Sequence, residues 1–308
     1  MIYIKKLCKS FEGVKVLDEL HMHVSKGSIY GFVGANGAGK STTFKIMGGL
    51  LNASSGEVLI DGVDACIHSN QMKDNIGYMP DQFGVYDNVK VIEYIRFFAS
   101  LYGLDGLEYD KYLHEILDKV GLLDKSELYV DHLSRGMKQR LGLARAMVHN
   151  PKVFILDEPA SGLDPRNREQ FKEILKGLQE DEKTVIISSH ILSELSQMCT
   201  HIGIINEGKM VLEGDIEDIT NQVDIINPLK ITIYDEVERA VRYLNKVSLV
   251  RKLSINQNEL VMQFLGDKRE EALLLREMIK EGILVSSYVR EQGELESLFM
   301  QLTEGQKE

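Results

Sequence analysis

The run Gly34-Ala35-Asn36-Gly37-Ala38-Gly39-Lys40-Ser41 fits the pattern G-x-x-x-x-G-K-[ST] in full. Its glycines let the backbone turn so that successive N–H groups converge on phosphate oxygens, and the helix that follows adds the positive end of its dipole. In such a loop Lys40 reaches the terminal phosphates of a nucleotide and the Ser41 hydroxyl ligates Mg²⁺, with Thr42 next to it at the helix start. A flexible glycine turn is the bland alternative. The context argues against it, because Ser28 to Val33 reads as an apolar strand before the loop and Ser41 to Leu50 as a helix after it.

A second group lies at Val153-Phe154-Ile155-Leu156-Asp157-Glu158, where two carboxylates end a wholly apolar strand. Ligands of parallel α/β sheets gather at such carboxyl ends. Successive side chains diverge on a strand, so Asp157 is placed to hold the metal's shell while Glu158 faces the water that attacks a γ-phosphate. Acids also precede helices as simple caps. His190 follows another apolar strand, Thr184–Ser189, and is placed to donate a hydrogen bond to the γ-phosphate. A lone histidine serves structure as readily. His21 and His23 alternate with Leu20, Met22 and Val24, which marks one exposed strand face and gives no reason to assign a metal there.

The elements that must position these groups alternate along the chain. Glu57 to Ile60 reads as a strand closed by the Asp61-Gly62 turn, and Asn206 to Lys209 as a hairpin turn. From Val89 to Asn150 the pattern is helical, with Val91, Ile95, Phe98 and Tyr102 on one face. The composition shifts near Asn221–Pro228. Beyond it come an alternating strand (Leu229, Ile231, Ile233), a helix near Asp235–Asn245 and two strands around Gln257-Asn258. A helix near Lys268–Glu281, a strand Ile283–Arg290 and a last helix from Glu294 follow. That β-α-β-β-α-β order predicts a ferredoxin-like α+β unit.

Bulk composition narrows the function classes. A chain of 308 residues, 44% hydrophobic and 27% charged, has material for two globular domains. The formal net charge of −11 argues against a general nucleic-acid binder, whose affinity rests on neutralising phosphates. No apolar run is long enough to cross a bilayer. The opening MIYIKKLCKS lacks the pattern of a secretory signal. Cys8, Cys66 and Cys199 are odd in number and widely spaced, which suits a reducing cytoplasm.

With Leu133-Ser134-Arg135-Gly136-Met137-Lys138-Gln139-Arg140 lying between the phosphate loop's helix and Asp157, the chain resembles the nucleotide-binding subunit of an ABC transporter over roughly residues 1–215. The resemblance implies a P-loop, RecA-like α/β core with an antiparallel β-subdomain and a helical subdomain at about 83–150. The nucleotide-binding domain would run over 1–220 and the accessory α+β domain over 225–308. It implies ATP and Mg²⁺ as ligands. Two subunits would sandwich two ATP molecules, Ser134 and Gly136 of each contacting the γ-phosphate held by the other. Arg135 and Met137 depart from the commonest residues there, and Arg135 is accommodated if its side chain points outward. Ser161-Gly162-Leu163-Asp164 matches the loop that couples the two sites, which brings Asp164 to the nucleotide interface. Phe11 stands where the family stacks an aromatic ring on adenine, although it serves equally as core. After Gly77-Tyr78-Met79-Pro80 the family commonly has Gln; here Asp81 occupies that position and Gln82 follows, and either is a candidate oxygen ligand for nucleotide and Mg²⁺.

The resemblance further implies ATP hydrolysis, with Glu158, His190 and Lys40 as catalytic residues. The work would be done on an integral membrane permease through a groove near Asp81, with no nucleic acid as partner. The protein would then be cytoplasmic and peripheral on the inner face of the cell membrane. The wording IGYMP…GVYDNVKVIEYIRFFASLYGL and the ending Glu294-Leu295-Glu296-Ser297-Leu298-Phe299 resemble the bacterial exporter branch that includes multidrug, antibiotic-resistance and sodium-efflux ATPases. The alternative is a soluble ABC ATPase of translation or DNA, a class that carries tandem cassettes or long coiled-coil inserts absent here. The tail domain is either a regulatory or dimer-stabilising module or a packing appendage. The transported substrate is set by the permease.

Overall fold

The computed structural model describes residues 2–67, 72–82, 84, 88–219 and 228–290. The chain divides into two compact units, Met1–Asp215 and Ile216–Glu308. The expected linker residues 221–227 and the last helix from Glu294 lie outside the described residues.

Two sheets build the first unit. The N-terminal hairpin β1 (Ile2–Phe11) and β2 (Val14–Val24) continues through β4 (Ser55–Ile60) and β5 (Val63–Asp64) into an antiparallel sheet of order β2-β1-β4-β5. Its inward residues, Leu20, Met22 and Val24 among them, are buried, while His21 and His23 face out and the His23 ring stacks on Tyr3. The turns Glu12-Gly13 and Asp61-Gly62 carry positive φ at both positions, the conformation that matches the twist of flanking strands.

The second sheet positions the chemistry. It contains β3 (Ile29–Val33), β6 (Ile76–Met79), β7 (Val153–Leu156), β8 (Thr184–Ser189), β9 (His201–Asn206) and β10 (Lys209–Asp215), in the order β10-β9-β3-β8-β7-β6. All neighbours are parallel except β9 and β10, which are joined by the Glu207-Gly208 hairpin. Strands β3, β7 and β8 are buried along their whole length, as central parallel strands must be. Register aligns Val33 with Ser189, Leu156 with Ile187 and Met79 with Leu156. The residues that follow these strands (Gly34, Pro80, Asp157, His190) therefore emerge along one edge.

Helix α1 (Lys40–Met47) follows the phosphate loop and stops at Gly48-Gly49, short of the expected Leu50. The predicted helical stretch from Val89 resolves into α2 (Val91–Ser100), α3 (Leu107–Lys119) and α4 (Arg135–Met147), joined by turns. Tyr102 falls outside α2, because the chain turns over residues 101–103 and Gly103 takes φ 70°. Its ring instead stacks on His149 at 4.1 Å. Helix α5 (Pro165–Glu180) begins with proline behind the Asp164 cap, and the short α6 (Leu192–Ser196) follows β8.

The second unit has the ferredoxin-like order: β11 (Pro228–Ile233), α7 (Val237–Leu244), β12 (Val250–Asn256), β13 (Glu259–Phe264), α8 (Lys268–Lys280) and β14 (Val285–Arg290). Its antiparallel sheet runs β12-β13-β11-β14. Leu229, Ile231 and Ile233, the alternating residues of the sequence pattern, are fully buried against helix residues such as Leu244 and Met278. Asp267 and Glu270 form a reciprocal capping box that fixes the start of α8.

Candidate functional site

The loop between β3 and α1 needs its glycines for space as well as for φ. A Cβ at Gly34 would come 2.5 Å from the Ile205 carbonyl oxygen, and one at Gly39 would lie 2.6 Å from Leu17 Cδ2. Gly39 also has φ 112°, and Gly37 φ 86°. Ala38 N–H donates to the Ala35 carbonyl, which closes the loop, and Gly34 N–H donates to Ser189 O. The Lys40 ammonium is buried under this loop, donating to Gly34 O at 2.6 Å and Ala35 O at 3.2 Å. Burial pushes its pKa down, while the nearby Glu158 and Asp157 carboxylates act the other way.

The acids behave as the strand end dictates. Asp157 is buried (3% exposed) and accepts a hydrogen bond of 2.6 Å from the Ser188 hydroxyl on the adjacent strand. The same Ser188 oxygen accepts the Glu158 N–H at 2.8 Å. Glu158 sits at φ 48°, a left-handed conformation rare outside glycine and concentrated at functional sites. Its two carboxylate oxygens point to different partners: Oε1 lies 3.6 Å from Lys40 Nζ, Oε2 2.9 Å from His190 Nδ1. Asp81 reaches the same region from the end of β6. Burial, then the Asp157 and Glu158 charges, push its carboxyl up, with Arg135 and His190 opposing.

Lys40, Asp81, Glu158 and His190 bound a cleft of about 470 Å³ that Asn36 and Ser41 also line, while the buried Asp157 is not among its lining residues. Gly37, Gly39 and Thr42 line it too; Gly34, Ala35 and Ala38 form the back of the loop. Of the two residues after Pro80, Asp81 lines the cleft and Gln82 does not. A larger cavity, of about 710 Å³, opens between α3, α4 and α5, but no phosphate-loop residue borders it.

Besides Gln82, four predicted site residues stand apart from the cleft of their own chain. Ser134 and Gly136 lie at the start of α4, where the Ser134 hydroxyl accepts the Met137 N–H as a cap. Asp164 caps α5 by accepting from Asn167. Phe11 is 43% exposed at the end of β1, with the Lys9 ammonium 4.8 Å above its ring, so the core alternative for it is ruled out. Arg135 is exposed, yet its side chain is engaged within the chain. Its Nη2 donates to the Ser161 carbonyl at 2.8 Å, because the turn after Glu158 presents that oxygen and the bare Gly162 beside it.

Ser188 and Val16 belong to the site's surroundings and escaped the sequence reading, whereas Ser161, named there only as the first residue of the coupling loop, also lines the cleft. A signal existed for Ser188, since a serine in a buried apolar strand needs a polar partner. None existed for Val16, whose place depends on long-range packing.

A model of the ABC transporter family matches residues 17–161. The probable multidrug ABC transporter ATP-binding protein YbhF of Escherichia coli (strain K12) is 36% identical over 222 residues, 72% of this chain; the chain spans only 38% of that relative's length. The bacitracin transport ATP-binding protein BcrA of Bacillus licheniformis is 32% identical over 300 residues, covering 97% of this chain and 96% of its own. Among solved structures, a dimeric post-hydrolysis state of the ATP-binding cassette MJ0796 bound to ADP and Pi superposes with TM-score 0.63 and 25% identity, over 70% of this chain and 99% of that one.

Proposed function

Because the chain belongs to the ABC transporter family as one of its ATP-binding ATPase subunits, we propose that it hydrolyses MgATP at the interface of a dimer and so drives a separate membrane permease. The observation that carries this reading is the meeting of Lys40, Glu158 and His190 within 3.6 Å links at one sheet edge, over a glycine loop shaped for phosphates. The backbone amides of residues 36–41 wrap the β- and γ-phosphates, and Lys40 turns from the Gly34 and Ala35 carbonyls to the phosphate oxygens. Glu158 orients the attacking water and takes its proton. With Nδ1 engaged by Glu158, the other nitrogen of His190 faces the γ-phosphate.

The donor set fits Mg²⁺. Ser41 and Asp157 offer hard oxygens, Asp157 steadied by Ser188, and Asp81 stands nearby as a further carboxylate. Among the described residues no cluster of three or more His, Cys, Asp or Glu forms a complete metal cage, which suits an ion held by one carboxylate, a hydroxyl and the substrate's phosphates. When bound, Mg²⁺ neutralises charge on the β- and γ-phosphate oxygens.

In this reading Ser134, Gly136 and Asp164 act on the nucleotide of the other subunit, and Phe11, exposed at its hairpin, stacks on adenine. No helix among the described residues is long and apolar enough to cross a membrane. Attachment to the inner face of the membrane then comes through the permease. Its cytoplasmic segment would dock in the cleft of about 240 Å³ lined by Gly48, Tyr78, Phe98, Tyr102, Arg145 and His149, next to the turn that carries Asp81. The multidrug and bacitracin roles named for the relatives support export. The test is purification of the tagged chain from detergent-solubilised membranes, followed by MgATP titration. A co-purifying membrane protein and sub-millimolar MgATP binding are expected; ribosomes without any membrane protein would overturn the reading.

A further inference from the structure

The start of α4 is fastened, within one chain, to the turn that follows Glu158. Arg135 provides one attachment: its Nη2 donates to Ser161 O at 2.8 Å, and its guanidinium lies flat over Gly162, where a Cβ would come within 2.6 Å of Cζ. The other attachment is Gly136, so close to the Asn167 side chain that a Cβ there would collide with it. Asn167 is itself held by Asp164 through two hydrogen bonds, at 2.8 and 2.7 Å. Ser161 in turn donates its N–H to the Glu158 carbonyl at 3.1 Å and lines the phosphate cleft. A continuous set of polar contacts thus runs Glu158–Ser161–Arg135 and ends one residue from Ser134.

The geometry assigns Arg135 as a positioning residue that couples the two nucleotide sites of the dimer. This rests on the sandwich reading proposed above, in which Ser134 and Gly136 serve the nucleotide of the opposite subunit. A shift of the Glu158–Ser161 turn on hydrolysis at one site moves the Arg135 guanidinium, and with it the end of α4 that completes the other site. A glycine at position 135, with no side chain, would leave only the Gly136–Asn167 contact. Arginine suits the task because its planar, permanently charged fork can lie over a bare glycine and still donate to a carbonyl. Coupling of this kind is a free energy between sites, so it is read from cooperativity rather than from binding at either site alone.

The experiment uses the full-length chain. Arg135→Ala, Arg135→Lys, Gly162→Ala and the double variant Arg135→Ala/Gly162→Ala are compared for MgATP affinity, ATPase kcat and Hill coefficient. Arg135→Ala is expected to lower kcat on the order of ten-fold, the scale of a lost charged hydrogen bond, and to bring the Hill coefficient to about 1, with nucleotide affinity unchanged. Arg135→Lys, which keeps a donor for Ser161 O, restores part of both. Gly162→Ala, which displaces the guanidinium and adds the strain of its left-handed φ of 68°, brings the Hill coefficient to about 1 as Arg135→Ala does, and the double variant is no worse than Gly162→Ala alone. Wild-type kcat and Hill coefficient in both Arg135 variants would overturn the assignment, as would additive effects or a ten-fold loss of affinity. Failure of the wild type to bind or hydrolyse MgATP would instead overturn the function on which the assignment rests.

Discussion

His190 Nδ1 lies 2.9 Å from Glu158 Oε2, while Glu158 Oε1 stands 3.6 Å from Lys40 Nζ. One carboxylate is thereby shared between the group that binds phosphate and the group that follows the neighbouring strand. Replacing Glu158 with Gln keeps the size and the Lys40 and His190 neighbours but removes the basicity. MgATP binding is expected to persist, steady-state hydrolysis to fall about 100-fold or more, and a nucleotide-bound dimer to accumulate on size exclusion. Turnover at the wild-type rate would remove Glu158 from the proton-accepting role.

Ser188 ties the two acids together by donating to Asp157 Oδ1 and accepting from Glu158 N–H. Ser188→Ala leaves both buried groups short of a partner, a loss of about 1–3 kcal/mol in unfolding free energy. The strained φ of Glu158 is then held less firmly, and kcat is expected to drop about ten-fold through misplacement. Urea denaturation and initial-rate kinetics on the same sample check both. A stability loss with unchanged kcat would show that Ser188 supports the fold without placing Glu158.

Two loop glycines should respond differently to the same substitution. Both Gly37 and Gly39 have positive φ, but a Cβ meets nothing within 4 Å at Gly37 and meets Leu17 Cδ2 at 2.6 Å at Gly39. Gly37→Ala then suffers only backbone strain, about 1–3 kcal/mol, whereas Gly39→Ala adds a clash with a fully buried leucine. The larger fall in melting temperature and in MgATP affinity is expected at Gly39. Equal effects at both positions would show that space does not decide this loop.

Local patterns carried the phosphate loop, the strand-end acids and the β-α-β-β-α-β tail, because each is written in a short stretch of consecutive residues. The contacts that complete the site are not local. Ser188 reaches Asp157 only through the register of β7 on β8, and Arg135 reaches Ser161 only once α4 packs beside the turn after Glu158. Helical periodicity placed Tyr102 on a face with Val91 and Ile95, yet the turn ending at Gly103 took it out of the helix. Phe11 had two readings in the sequence, and its position at the edge of the Glu12-Gly13 turn exposes it.

His149 supplies a pH test outside the nucleotide cleft. Its Nε2 faces the Ile76 carbonyl at 3.0 Å, its ring stacks on Tyr102, and Nδ1 is buried without a hydrogen-bond partner. Burial lowers its pKa, against the opposing pull of Ile76 O and Asp74. The unfolded chain therefore takes up the proton first as pH falls through the ordinary histidine value of about 6.5. The stability owed to neutral His149 is fully present above that pH and is lost as the pH drops below it toward the depressed folded value. His149→Gln keeps an amide donor for Ile76 but cannot titrate. Between pH 7.5 and 5 the wild type's melting temperature should therefore fall further than the variant's, every other titrating group being common to both. Parallel curves across that range would show that protonation of His149 does not weaken the fold.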